Sequence, residues 1–182
     1  KSIGDPNERI SEDHLRMLRA IRFASRFEFS IEAETANAIR EHSHALRGIS
    51  IERIGEEIRK MLTNTNRGVA AWELQYLGLD RFIFDEESCM NAPTRVGRLS
   101  TSATYATALA AWIFDRYTSD SDVQVAATNW RKRLLLSNQV YEDLSSILSL
   151  HQKLYLWDTL GTAQQKRTAA SSLCNSALSI IQ

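Results

Sequence analysis

The chain has 182 residues, a formal net charge of zero and 43% hydrophobic residues. These values are typical of a globular protein and exclude a strongly basic nucleic-acid-binding protein, so any contact with RNA must come from local patches. There is no apolar run near the ~20 residues of a membrane helix, no secretory leader pattern and no cysteine pair with metal or disulfide spacing, and we therefore expect a cytoplasmic protein.

Helical signals follow one another along the chain. Ser11 is the predicted N-cap of a first long helix from Glu12 to Phe27, because acidic residues follow it in the first turn. Further helices are predicted over 31–45, 51–62, 67–77, 80–87, 101–117, 123–136, 138–158 and 162–181. Residues 88–100, with Pro93 and Gly97, are predicted to form a loop. No segment alternates like a strand, so the predicted fold is all-α, with seven to nine helices and no sheet.

The first long helix carries the candidate chemistry. At 100° per residue, its apolar positions share one side and are predicted to face the core. Asp13 and Arg16 share another side, with Glu12 and Arg19 beside them. An ionised Asp only accepts hydrogen bonds and Arg only donates them. Adenine and cytosine present an amino donor beside a ring-nitrogen acceptor, so this pair matches them and mismatches uracil and guanine. The alternative is an ordinary solvated Asp–Arg pair on a helix face.

A longer pattern surrounds this pair. The pattern consists of Gly4-Asp5-Pro6, 12–23 (EDHLRMLRAIRF), 29–32 (FSIE) and 49–54 (ISIERI) with Glu57. Together these segments resemble the neck region of class II tRNA nucleotidyltransferases (CCA-adding enzymes) and bacterial poly(A) polymerases. The resemblance extends to about residue 79. Arg9-Ile10 departs from the Arg-Phe of the family pattern, which is a conservative change.

The resemblance implies a role for each matching residue. The nucleotide-binding residues would be Glu12, Asp13, Arg16 and Arg19, with Asp13 and Arg16 reading the base edge. The motif Glu52, Arg53 and Glu57 would brace the base-selecting helix. Residues 1–87 would form the neck, including an RNA-binding region, 88–100 the boundary and 101–182 the helical body.

The family's catalytic head, with its Gly-Ser motif and metal-binding Asp-x-Asp pair, has no counterpart here. Asp120-Ser121-Asp122 lies in a polar stretch before a helix and is better interpreted as a cap. We therefore expect no catalytic residue and no bound metal in this chain, and we expect the Mg²⁺ ions of nucleotidyl transfer to belong to the head. The chain alone should be inactive.

Two basic clusters in the predicted body could contact RNA phosphates. Their members are Arg131, Lys132, Arg133, Lys166 and Arg167. Trp130 beside the first cluster could stack on a base or lie in the core, and Trp72, Trp112 and Trp157 are expected in the core. The predicted function is the base-selecting, RNA-binding part of an enzyme that uses ATP and CTP to add CMP and AMP, or AMP alone, to RNA 3′ ends. The alternative is a non-catalytic helical module that binds RNA or protein.

Overall fold

A computed structural model describes residues 4–181, and its regular elements are all helical, which confirms the all-α prediction. The described part of the chain has twelve α-helices and two short 3₁₀ helices, more than the seven to nine predicted. None of the helices in this part is long and apolar enough to cross a membrane.

Six helices lie before residue 88. They are α1 (Pro6–Glu12), α2 (Arg16–Phe27), α3 (Ala33–His42), α4 (Ile51–Leu62), α5 (Arg67–Tyr76) and α6 (Asp80–Phe84), with a 3₁₀ helix over Ser43–Gly48 after α3. The predicted Ser50 cap of α4 is present, since the Arg53 N–H donates to its hydroxyl. The helix predicted over 67–77 is confirmed and ends before Gly78, whose φ of 71° suits a glycine.

Six more helices follow. They are α7 (Thr94–Arg98), α8 (Tyr105–Arg116), α9 (Asp120–Arg133), α10 (Asn138–Tyr155), α11 (Thr162–Ala169) and α12 (Cys174–Ile181), with a 3₁₀ helix over Trp157–Thr159 after α10. The single helix predicted over 162–181 is thus two helices. The segment 88–100 contains α7, which packs on α5 and α8. The division of the chain into two domains at this segment stays a prediction.

The predicted start of the first long helix is wrong. The chain instead begins α1 at Pro6, with Asp5 as N-cap, because Asp5 accepts from the Asn7 N–H and proline is well suited to the first helical position. That helix ends at Glu12. Asp13 then has an extended backbone, and a new helix starts at Arg16. Asp13 and Arg16 therefore do not lie on one continuous helix.

The apolar face predicted for α2 is confirmed, and it lies at the centre of the N-terminal half. Met17, Leu18 and Ile21 are fully buried, where α2 packs against α4 and α5. Burial of each such side chain contributes about 1.5–3 kcal/mol. This packing leaves the opposite side of α2 facing solvent, and it fixes the orientation of the polar residues there.

The two halves of the chain pack closely. Phe84 stacks on Trp130 at 3.9 Å between ring centroids, with Trp112 edge-on to both rings. The structure therefore confirms the core prediction for Trp112 and places Trp130 in the core. Trp72 is 37% exposed and stacks on Tyr76, so its core prediction is wrong. The side of α5 that points away from the core carries this pair.

A buried ion pair ties α6 to α8. The Arg116 guanidinium donates to Asp80 at 2.8 Å, and both side chains are almost inaccessible. Asp80 also accepts from the Ser88 hydroxyl and the Cys89 N–H, so this carboxylate has a full set of donors. Because such a group is costly to bury unpaired, these bonds hold the segment after α6 against α8.

Candidate functional site

Asp13 lies in the turn between α1 and α2 and connects three elements. Its carboxylate accepts from the Leu15 N–H at 3.1 Å, and its carbonyl accepts from the Arg16 N–H at 2.9 Å. Across the structure, the Arg53 guanidinium of α4 donates to both of its oxygens at 3.0 and 3.2 Å. Arg19 lies 3.8 Å from the same carboxylate. Asp13 therefore lies just before α2 and is held there by Arg53 of α4.

The charge of Asp13 is maintained by these contacts. Burial would raise the pKa of its carboxyl, but the Leu15 N–H and the Arg53 guanidinium outweigh burial and hold the pKa below its usual value. Asp13 is therefore ionised at neutral pH and can only accept hydrogen bonds. This is the protonation state that recognition of an amino group on adenine or cytosine requires.

Arg16 has a different carboxylate partner. Its guanidinium lies 2.6 Å from Glu12, the last residue of α1, and Arg9 contacts the same carboxylate at 3.3 Å. The hydrogen bond from Arg9 contributes most to lowering the pKa of Glu12. The predicted base-reading residues thus lie at one helix junction, with Asp13 held by Arg53 and Arg16 held by Glu12.

Glu57 connects α2 to α4 beneath this junction. Its carboxylate is almost buried and accepts from Arg22 Nε at 2.6 Å. Arg19 and Lys60 lie 3.8 and 3.7 Å away from the same carboxylate. Arg19 therefore lies between two acids, Asp13 and Glu57. Glu57 contacts the α2 residues Arg19 and Arg22, and Arg53 contacts Asp13 in the turn before α2. Glu52 lies exposed in the first turn of α4.

The structure adds features that the sequence analysis did not single out. Arg22 makes the shortest contact with Glu57. The only sequence signal for this role was that Arg22 lies three residues after Arg19, on the same face of α2. Beside Arg16, a cavity of about 260 Å³ lies between α2 and the start of α3, and Phe23 and Phe29 line it. Phe23, Phe27 and Phe29 are 45%, 51% and 69% exposed. Three exposed phenylalanines together are unusual on a protein surface.

The first basic cluster of the C-terminal half is partly used by the fold. Arg133 donates to the carbonyls of Ile83 and Phe82, and these bonds join α9 to α6. Arg131 donates to Asn138 and lies over the Tyr141 ring. Lys132 is exposed. Lys166 and Arg167 are exposed on α11, where Arg167 also donates to the Ala163 carbonyl. Contact of these five residues with RNA stays a prediction.

Asp120 and Asp122 lie in the first turn of α9 and Ser119 is the N-cap, so the helix starts three residues before the predicted position and the two acids follow the cap rather than form it. Asp120 accepts from the Gln152 side chain. Within residues 4–181, no three His, Cys, Asp or Glu side chains come together in a way that could hold a metal ion.

Comparison with known proteins agrees with the resemblance found in the sequence. Residues 28–88 match a family model described as "Probable RNA and SrmB- binding site of polymerase A". A CCA-adding enzyme of Pediococcus pentosaceus is 51% identical over 71 residues, which are 38% of this chain and 18% of that protein. A CCA-adding enzyme of Enterococcus faecalis is 49% identical over 67 residues, or 37% of this chain and 16% of that protein.

The N-terminal part of this chain is similar in sequence to CCA-adding enzymes. The predicted resemblance is thereby confirmed. A solved structure, the Bacillus stearothermophilus CCA-adding enzyme in complex with CTP, matches the whole of this chain and 45% of its own chain, with a TM-score of 0.72 and 22% identity. At that identity the likeness shows the fold alone. The matched segment spans less than a fifth of the curated relatives quoted above.

Proposed function

We propose that this chain is the neck and body part of a template-independent RNA nucleotidyltransferase, which adds CMP and AMP, or AMP alone, to RNA 3′ ends. In this proposal Asp13 and Arg16 select the incoming base. The observation that carries it is the α1–α2 junction, where an ionised Asp13 and the Arg16 guanidinium are three residues apart on the chain and have separate partners. The homology to CCA-adding enzymes supports the same conclusion.

The ion pairs at the junction suggest how a base would be read. In the free protein the Asp13 carboxylate forms ion pairs with Arg53 and Arg19, and Arg16 forms an ion pair with Glu12. An adenine or cytosine would offer an amino group to Asp13 and a ring nitrogen to Arg16. A guanine or uracil would place a carbonyl against the carboxylate and an N–H against the guanidinium. Such mismatches leave polar groups unpaired, which is the strongest basis for rejecting an analogue.

The surrounding residues position this pair. Glu57 holds Arg22 and approaches Arg19, so it orients the exposed side of α2 relative to α4. Arg53 holds Asp13 in the free protein, and Arg19 is placed to approach the nucleotide or to support Asp13. The catalytic Mg²⁺ ions would belong to a head domain, as the resemblance to the family implies.

The proposed substrates are ATP, CTP and an RNA 3′ end. Exposed Lys132, Lys166 and Arg167 are the better candidates for phosphate contacts in the body, since Arg133 is used between α9 and α6. Arg131 is partly engaged with Asn138 and Tyr141.

The test is the affinity of the 182-residue chain for the four ribonucleoside triphosphates, measured by calorimetry or ligand-observed NMR. The proposal predicts tighter binding of ATP and CTP than of GTP and UTP. In Asp13→Asn the side-chain oxygen can still accept from the Leu15 N–H, but the amide is no longer a pure acceptor. We expect this variant to lose most of the difference between the two groups of nucleotides.

Asp5→Asn is the matched control. Asp5 also begins a helix, since it caps α1 by accepting from the Asn7 N–H. Its substitution makes the same chemical change away from the proposed base contacts and should leave the selectivity intact. Equal affinity for all four nucleotides, or the same selectivity in Asp13→Asn, would contradict the proposal and favour a non-catalytic RNA- or protein-binding module.

A further inference from the structure

The solvent-facing side of α2 carries an unusual combination of residues. Within Arg16–Phe27 there are four arginines and no acidic residue, although the whole chain has no net charge. Because side chains three and four positions apart share a helix face, Arg19, Arg22 and Arg26 form one row. Arg16, Ala20, Phe23 and Phe27 form a neighbouring row. We call Phe23, Phe27 and Phe29 the phenylalanine stripe.

The rings of the phenylalanine stripe form a continuous exposed surface. Phe23 and Phe27 are nearly parallel, with 11° between ring planes and 6.2 Å between centroids. Phe29 follows at 5.8 Å from Phe27. The three residues are 45–69% exposed, so a ligand can reach part of each ring. Nothing in α2 requires apolar residues on this side, because the core is filled from the opposite face.

Positive charge lies directly beside the stripe. Arg22 lies over the Phe23 ring at 4.2 Å, and Arg26 lies over the Phe27 ring at 5.5 Å. Arg22, Arg26 and Lys60 line a cleft of about 390 Å³. Glu57 neutralises part of the charge of Arg22 and Lys60. Among residues 4–181, no carboxylate lies within ion-pair distance of Arg26, so its charge is available to a ligand.

The stripe is continuous with the proposed base-selecting site. Arg16 begins α2 and lines the same 260 Å³ cavity as Phe23 and Phe29. From Arg16 to Phe27 the helix rises about 16 Å, at 1.5 Å per residue. A strand that ends at the site could therefore extend along α2 over a few nucleotides. At the far end of α2, the acid Glu28 accepts from the Asn66 amide.

We propose that the phenylalanine stripe, with Arg26 and Lys60, binds the single-stranded 3′ end of the RNA substrate. Bases stack on the exposed rings, and phosphates lie against the cations of the neighbouring cleft. This combination of aromatic rings with a basic groove is the usual way in which single strands are bound without sequence preference. The inference rests on the proposed function, in which RNA is the substrate and its 3′ end must reach the base-selecting site.

The experiment measures binding of a short unstructured, fluorescently labelled RNA to the 182-residue chain by anisotropy. Phe27→Ala and Phe29→Ala change rings that pack little against the protein, so both variants should fold, and circular dichroism checks this. Loss of a stacked base costs about 1–3 kcal/mol, so each variant should bind about 5- to 140-fold more weakly. Arg26→Gln should reduce the slope of log affinity against log salt by about 0.7.

The matched control is Tyr76→Ala. Tyr76 also belongs to an exposed, nearly parallel aromatic pair, with Trp72 at 6.0 Å and Arg40 over its ring, but it lies on α5. We expect this variant to bind RNA like the unmodified chain. Unchanged affinity in both Phe variants, or an equal loss in Tyr76→Ala, would overturn the inference.

Three further outcomes distinguish RNA binding by the stripe from self-association and from a failure of base selection. If Phe27→Ala abolished self-association in sedimentation experiments and left RNA affinity unchanged, the stripe would be an interface with a second copy. If the chain kept its preference for ATP and CTP but bound RNA equally well without the stripe, this inference would be overturned and the proposed function would stand. Absence of base selectivity in the unmodified chain would contradict the proposed function instead.

Discussion

Glu57→Gln should destabilise the chain more than its position on a charged helix suggests. The Glu57 side chain is 5% exposed and pairs with Arg22, which is 15% exposed, at 2.6 Å. Removing one member of a buried pair leaves the other charge uncompensated, which costs about 3–5 kcal/mol when burial is complete. Because glutamine still accepts one hydrogen bond and Arg22 keeps some contact with water, we expect a loss of about 2–3 kcal/mol in the free energy of unfolding.

Urea or thermal denaturation followed by circular dichroism measures this loss. For a chain of this length, it corresponds to a decrease in Tm of about 4–10 °C. Glu56→Gln is the control on the same helix, since Glu56 is exposed and pairs with Arg59 and Lys60 at the surface. Its Tm should stay within experimental error. Equal effects of the two substitutions would refute the reasoning that Glu57 joins α2 to α4.

Two other predictions concern the helix contacts. Gly55→Ala should lower the free energy of unfolding by about 1–3 kcal/mol in the same denaturation assay, because the new Cβ would lie 2.5 Å from the Leu134 carbonyl oxygen. Gly48→Ala is the control and should be nearly neutral, since a Cβ there meets nothing within 4 Å. Because its folded pKa is lowered, Asp13 stabilises the native state above its unfolded pKa near 3.8, and this contribution is lost as the pH falls through the folded pKa. When denaturation is measured between pH 2 and 6, the free energy of unfolding of Asp13→Asn should therefore fall less steeply with decreasing pH than that of the unmodified chain. An equally steep fall would contradict the role of Arg53 and Leu15 in lowering the pKa of Asp13.

The periodic features of the sequence were sufficient to predict the all-helical fold and the buried face of α2, but not α1, α7 or the break between α11 and α12. Met17, Leu18 and Ile21 recur at helical spacing, and burial follows from that spacing alone. The error at the start of α2 arose from two competing signals. Ser11 with following acids resembled an N-cap, but Asp5-Pro6 begins a helix six residues earlier, and that helix ends before Asp13, so α2 starts only at Arg16.

The contacts of the candidate site depend on long-range packing. Arg53 is forty residues from Asp13 in the chain, and only the packing of α4 on α2 brings them together. The same holds for Arg22 and Glu57. Local sequence was also insufficient for Trp72. Its apolar neighbours indicated a core position, but its side of α5 faces solvent and carries Tyr76.

The most direct test of the central claim follows the arginine side chains themselves. NMR signals of the Nε–H groups of Arg16 and Arg53 can be recorded while the 182-residue chain is titrated with ATP, CTP, GTP or UTP. If Asp13 and Arg16 read the base, ATP and CTP shift both signals, because the base replaces Arg53 at Asp13 and Glu12 at Arg16. Signals that do not move, or that move equally with all four nucleotides, would contradict base selection at this junction.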